Sequence, residues 1–204
     1  MKLTDIVLAS SSPRRREILA KLGIPFRTVT PDADENICDA ASPEEYVMQA
    51  AFRKNKAAIE LLRADGSLSA GTLLVACDTV VVYGGTIIGK PPDAAHAVLT
   101  LGMLSDSWHS VYSGLSVYGK GKTCETFART DVKFRTISEE EILAYVDSGE
   151  PMGKAGSYAI QLKGSSFVER IEGEYENVVG FPIATFLSLL QAEFGISPLD
   201  ILHY

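Results

Sequence analysis

The apolar positions of this chain change period along its length, and the changes mark out alternating extended and helical stretches. Ile6-Val7-Leu8-Ala9 is a continuous apolar run that breaks at Ser10-Ser11-Ser12, as expected of a buried strand delivered into a polar loop. Pro13 then opens a helical pattern carried by Ile18, Leu19 and Leu22, with Ser12 at the N-cap. Phe26 to Val29 reads as a second, short strand. Ser42-Pro43-Glu44-Glu45 is a helix start of the capping-box type. The helix it opens runs to about Arg63, with Val47, Ala50, Ala51, Ala57, Ala58, Leu61 and Leu62 on one stripe. Leu73 to Cys77 is again a continuous apolar run, continued by Val80 to Tyr83. Gly84-Gly85 turns it back through Thr86-Ile87-Ile88.

Helical spacing returns at Asp93 to Leu104. Trp108 to Tyr118 and Thr123 to Phe134 alternate as two long strands. Between them, Gly119-Lys120-Gly121-Lys122-Thr123 resembles the end of a phosphate-binding loop. Ser116 stands where that motif needs glycine and no helix follows, so a hairpin turn is predicted. Ser138-Glu139-Glu140-Glu141 caps a helix to about Ser148, and Gly149 to Gly164 is polar and punctuated by glycine. Phe167 to Gly180 alternates loosely as strand, and Pro182 starts a last amphipathic helix that ends before Gly195. Strands interleaved with helices predict an α/β protein. Nothing in composition divides the chain, so residues 1–204 read as one domain.

Charge and cysteine content narrow the function classes. A net charge of −7 argues against bulk binding to nucleic acid or to an anionic membrane. No apolar run approaches the ~20 residues of a membrane helix, and Met1-Lys2-Leu3-Thr4-Asp5 lacks a signal-peptide pattern. Three cysteines, with no Cys-x-x-Cys pair, read as thiols in a reducing compartment rather than as disulfides. His96, His109 and His203 have no metal-ligand spacing.

Four features fit poorly with a purely structural role. Arg14, Arg15 and Arg16 occupy the first turn of a helix, where the macrodipole disfavours cations. They are either a solvated cluster or the lining of an anion site completed by free backbone N–H groups. Asp32, Asp34, Glu35 and Asp39 are either a solvated loop or oxygen ligands of the kind Mg²⁺ takes. Lys54 falls on the apolar stripe of its helix while Lys56 falls opposite, so Lys54 must snorkel or meet a negative partner. Asp78 follows five apolar residues and needs a cation or hydrogen bonds. The turn at Gly84-Gly85 is expected to fold Lys90 back toward it.

In order along the chain, these motifs resemble the Maf family of nucleotide pyrophosphatases. They are Ala9-Ser10-Ser11-Ser12-Pro13-Arg14-Arg15, Asp78-Thr79-Val80-Val81, Gly89-Lys90-Pro91, Ser148-Gly149-Glu150-Pro151, Lys154-Ala155-Gly156, Tyr158-Ala159-Ile160-Gln161, Ile171-Glu172-Gly173 and Asn177 to Pro182. The resemblance covers nearly the whole chain. It implies an inosine-triphosphate-pyrophosphatase-like fold, a long twisted mixed sheet flanked by helices with a cleft between two lobes. It also implies a homodimer in the cytoplasm and a divalent metal, Mg²⁺ or Mn²⁺.

Position by position, the resemblance makes Asp78 the catalytic carboxylate, with Glu35, Lys54 and Lys90 in support and Glu35 and Asp78 as metal ligands. Ser10, Ser12 and Arg14 fall on the phosphate side. Arg15, Thr79 and Gln161 match the branch that hydrolyses dTTP and UTP, releasing pyrophosphate. The chain departs from relatives at Leu162-Lys163 and at Asn55. A rival reading, a nucleotide-binding regulator of cell division with little turnover, is disfavoured by the intact Glu35, Lys54, Asp78 and Lys90.

Overall fold

Both continuous apolar runs form buried strands, and they lie side by side. The computed structural model describes residues 5–33 and 40–202. Strand β1 (Asp5–Ala9) pairs in parallel with β2 (Arg27–Val29) on one side and with β3 (Thr72–Tyr83) on the other. A strand hydrogen-bonded on both edges and covered on both faces has no room for polar side chains. Val7, Leu8 and Ala9 accordingly expose at most 1% of their surface. β3 turns at Gly84-Gly85 into β4 (Thr86–Ile88), antiparallel to it, with Val81 opposite Ile88. The sheet continues through β5 (Trp108–Gly119), β6 (Lys122–Phe134) and β7 (Val168–Glu172) in the order β2-β1-β3-β5-β6-β7. β6 and β7 are antiparallel. The expected α/β class with a mixed sheet and flanking helices is therefore what the chain adopts.

Residue contacts resolve two compact units, one of Met1–Asp78, Ser113–Ala128 and Gly180–Tyr204, the other of Thr79–Tyr112 and Arg129–Val179. In the first unit, helix α1 (Pro13–Lys21) follows β1, and α2 (Pro43–Ala64) supplies Ala58, Ile59 and Leu62 to a core with Val7, Ala9, Leu74 and Ala76. Two residues hold α2 against the sheet. Gly114 on β5 meets the helix backbone so closely that a Cβ there would lie 2.1 Å from the Val47 carbonyl oxygen. Asn55, fully buried, donates its side-chain amide to the carbonyls of Ser116 at 2.7 Å and Leu74 at 3.3 Å. The buried face of α2 is rotated accordingly. Asn55 and Ile59 are inside, while Leu61, expected inside, is exposed. Ser42 caps α2 through the Glu45 amide, but the Glu45 carboxylate returns to the amide of Ala41 rather than Ser42, so the predicted box closes one residue earlier.

The turn between β5 and β6 has Lys120 at φ 51° and Gly121 at φ 79°, the left-handed pair of a two-residue hairpin turn. The hairpin reading of this glycine-lysine stretch therefore holds. Helix α6 (Ile183–Phe194) completes the first unit.

The second unit packs α3 (Ala94–Leu104) and α4 (Glu139–Asp147) around a core that includes Leu101, Phe134, Tyr145, Tyr158 and Phe167. Ser138 and Glu141 form the full capping box expected at the start of α4. The loose alternation at Phe167 to Gly180 is strand only as far as Glu172. Gly173 at φ 125° breaks it, and α5 (Tyr175–Val179) follows as helix. The reason is Asn177, fully buried, whose amide donates to the Val111 carbonyl and the Thr130 hydroxyl, both at 3.0 Å.

His109 lies in this second core, edge-on to Phe134 and Tyr158 and 2.9 Å from the Tyr158 hydroxyl. Burial pushes its pKa down from 6.5 to about 4, with the Asp131 charge opposing. Between those values the unfolded chain binds a proton here that the folded chain does not, so stability falls as pH falls through this window. The gap corresponds to roughly 3 kcal/mol, fully lost below pH 4. His109→Phe should flatten that part of the dependence. Denaturant titrations of both proteins at several pH values between 4 and 7 check it, and parallel slopes would refute it.

Candidate active site

The loop after β1 is built around Ser10. Its hydroxyl, nearly buried, accepts from the Ser12 amide at 3.1 Å and from the Arg15 guanidinium at 3.3 Å. Arg15 also donates through Nε to the Gly180 carbonyl at 2.9 Å, and Arg16 reaches the Ser11 carbonyl at 3.0 Å. Ser12 occupies the N-cap position, but its side chain makes no capping bond, contrary to the expectation from its residue type. Burial, then the adjacent Arg15 charge, lowers the pKa of Arg14, with Glu17 opposing. A half-buried guanidinium beside a second one, at a positive helix end, is an environment that a bound anion relieves.

Lys54 and Asp78 answer each other's requirement. The apolar part of β3 ends at Asp78, and Lys54 projects from the edge of the buried face of α2. Lys54 Nζ lies 2.6 Å from Asp78 Oδ1, with side-chain exposures of 12% and 17%. Neither group could be left this dry without its partner. Lys56, two residues on, is exposed. The sequence alone had pointed to Lys90 as the cation for Asp78. The contact formed by Lys54 was foreseeable only as two separate demands.

In the second unit, Thr79 follows on β3 and Lys90 is exposed just past β4. Gln161 is half-buried in a turn where the Leu162 amide donates to the Ala159 carbonyl at 3.1 Å. Glu35 falls outside the described residues. Among the described residues, no three His, Cys, Asp or Glu side chains gather as a metal site. Asp78 is a hard oxygen donor, suited to Mg²⁺ or Mn²⁺ rather than to a soft metal.

The model of the family described as "Maf-like protein" matches residues 5–193. The chain belongs to the Maf family. Proteins named dTTP/UTP pyrophosphatase from Bacillus cereus (strain AH820) and Bacillus anthracis are 41% identical to it over 201 residues, covering 98% of this chain and 100% of each relative. Among solved structures, that of the Staphylococcus aureus Ham1 protein aligns at a TM-score of 0.41 and 14% identity, over 64% of this chain and 72% of that one. So faint a likeness adds nothing to the assignment. No helix among the described residues of this Maf protein is long and apolar enough to cross a membrane.

Sequence reasoning overlooked Gly114 and noted Asn55 only as a departure from relatives, missing that both hold the Lys54 helix in place. Asn55 had left a trace as an uncharged polar residue one step from the predicted stripe. Gly114 had left none, since a glycine inside a strand does not reveal which backbone approaches it.

Proposed function

We propose that this chain hydrolyses dTTP and UTP to the nucleoside monophosphate and pyrophosphate. The observation that carries the reading is the Lys54–Asp78 contact, a shielded acid held by an ammonium in a chain 41% identical to named dTTP/UTP pyrophosphatases. Water attacks the α-phosphorus, the bond to the bridging oxygen of the β-phosphate breaks, and Asp78 accepts the proton the water gives up. Lys54 and Lys90 neutralise charge that grows on the phosphate oxygens, and Ser10, Ser12 and Arg14 hold the phosphate chain at the start of α1. Asp78 and Glu35 would hold a divalent cation, Mg²⁺ or Mn²⁺, which when bound lowers the pKa of a coordinated water and offsets phosphate charge. A homodimer in the cytoplasm completes the reading, with nucleic acid and membrane outside its range of partners.

Base choice falls to Gln161, with Arg15 and Thr79 as the other two base-reading positions in this reading. Uracil and thymine offer a carbonyl, an N3–H donor and a second carbonyl. A primary amide accepts from the N–H and donates to a carbonyl. Cytosine replaces N3–H by an acceptor and one carbonyl by an amino donor, which leaves an amide held in the uracil-reading orientation mispaired. A panel of nucleoside triphosphates with pyrophosphate detection, with and without Mg²⁺ or Mn²⁺, tests this. dTTP and UTP should turn over well and CTP and dCTP poorly, and Gln161→Ala should narrow the gap by losing the good substrates. Equal kcat/KM for UTP and CTP in the unaltered protein would end the reading.

A further inference from the structure

The stretch Ser148-Gly149-Glu150-Pro151 has no part in the reaction above, yet the Glu150 carboxylate collects three hydrogen bonds. The Tyr145 hydroxyl donates to Oε1 at 2.8 Å, the Gly164 amide to Oε1 at 3.0 Å and the Lys163 amide to Oε2 at 3.3 Å. The Tyr145 oxygen in turn accepts from the Ala159 amide at 3.1 Å. Ala159 stands two residues before Gln161, and Lys163 and Gly164 stand two and three residues after it. Both ends of the turn that presents Gln161 are thus tied to one tyrosine–glutamate pair.

The pair is itself rigidly held. Tyr145 projects from α4 with its ring edge-on to Phe167, centroids 4.9 Å apart. Burial, and then the bond to Glu150, raise its pKa, so the phenol stays a proton donor at any working pH. Lys154 Nζ donates to the Glu150 carbonyl at 2.6 Å, fixing the backbone that carries the acid. The approach at the far end of the turn is close. A Cβ on Gly164 would lie 2.8 Å from both the Tyr145 hydroxyl and the Ala159 carbonyl oxygen. The turn's middle, by contrast, carries the half-exposed Leu162.

We infer that Tyr145 and Glu150 are positioning residues that set the base preference by holding the Gln161 turn, an inference that rests on Gln161 being the base-reading amide. An amide that must donate and accept at once discriminates only if its position and the direction of its oxygen are both fixed, and a displacement of about 1 Å is enough to lose the pairing. A turn anchored at one end would let Gln161 swing to suit cytosine as readily as uracil.

The test compares kcat and KM for UTP and CTP in Tyr145→Phe, Glu150→Ala, Glu150→Gln and Gln161→Ala, with melting curves for each. Tyr145→Phe removes one hydroxyl and keeps the ring. It should lower kcat/KM for UTP roughly tenfold or more, mostly through KM, while CTP changes by less than about threefold. Glu150→Gln keeps one acceptor oxygen and should retain more of the UTP preference than Glu150→Ala. A purely structural role lowers both substrates by one factor along with Tm and leaves their ratio intact, which overturns the inference. If Gln161→Ala collapses the ratio while the Tyr145 and Glu150 variants keep it, the clamp alone is refuted. If Gln161→Ala itself keeps the ratio, the base-reading role falls and the clamp with it. Should the variants not fold, hydrogen exchange on the unaltered protein decides. Joint protection of the Ala159, Lys163 and Gly164 amides supports the clamp, and exchange as fast as in an open loop refutes it.

Discussion

Asp78→Asn should fold, bind dTTP and release pyrophosphate at least about 10²-fold more slowly than the unaltered protein. Asparagine keeps the shape of the side chain, and its carbonyl oxygen can still accept the hydrogen bond from Lys54 Nζ, so the 2.6 Å contact has a neutral replacement. It cannot take a proton from water. The loss should therefore fall on kcat, spanning roughly 10² to 10⁴, with nucleotide affinity by calorimetry little changed. Turnover above about a tenth of the original would remove Asp78 from the role of base. A protein that no longer melts cooperatively would instead make the Lys54–Asp78 pair a structural element first.

Lys54→Ala should be nearly as damaging, at about 10³-fold in kcat/KM, while Lys56→Ala should stay within about twofold. The two lysines are two residues apart on α2, so they share helix propensity, local charge and position in the chain. Only their direction differs. Lys54 places its ammonium on Asp78 with 12% of the side chain exposed, whereas Lys56 faces solvent. Removing Lys54 would, in the proposed reaction, take a positive charge from the phosphates, and it leaves the Asp78 carboxylate partly buried without its ammonium. Steady-state kinetics of the two variants under one set of conditions provide the comparison. Equal losses would show that the effect belongs to the helix rather than to the contact.

How much of this was readable in advance depended on the range of the interaction. The buried strands at Ile6–Ala9 and Leu73–Cys77, the capped helices and the hairpin turn at Lys120-Gly121 all follow from periods and turn chemistry within about a dozen residues. Lys54 and Asp78 each stood out as an ionisable group in apolar company. Their pairing did not, because it depends on how far α2 approaches the sheet, and that is set by the missing side chain at Gly114 and the amide of Asn55. The short helix Tyr175–Val179 was misread as strand for a related reason. Five residues are too few to display a helical period, and what fixes them is a buried asparagine reaching Val111 and Thr130. The clamp on Gln161 was legible only as a motif without a purpose. Its bonds run mostly through backbone amides, which no side-chain pattern records.

The order in which the two units close has a bearing on synthesis. The first unit is made of Met1–Asp78, Ser113–Ala128 and Gly180–Tyr204, and the second of Thr79–Tyr112 and Arg129–Val179. A ribosome delivers chain from the N-terminus, so the tyrosine–glutamate clamp and its turn can mature once Val179 has emerged. The half that holds Lys54 and Asp78 must wait for α6, whose Phe186, Leu190 and Phe194 are fully buried. Until then the β5–β6 hairpin lacks the contacts of Lys120 with the Phe194 carbonyl and of Lys122 with Glu193, and contacts this distant in sequence are slow to form. The Lys54–Asp78 contact therefore belongs to a unit that is completed only after α6 has been made, later than the clamp on the Gln161 turn.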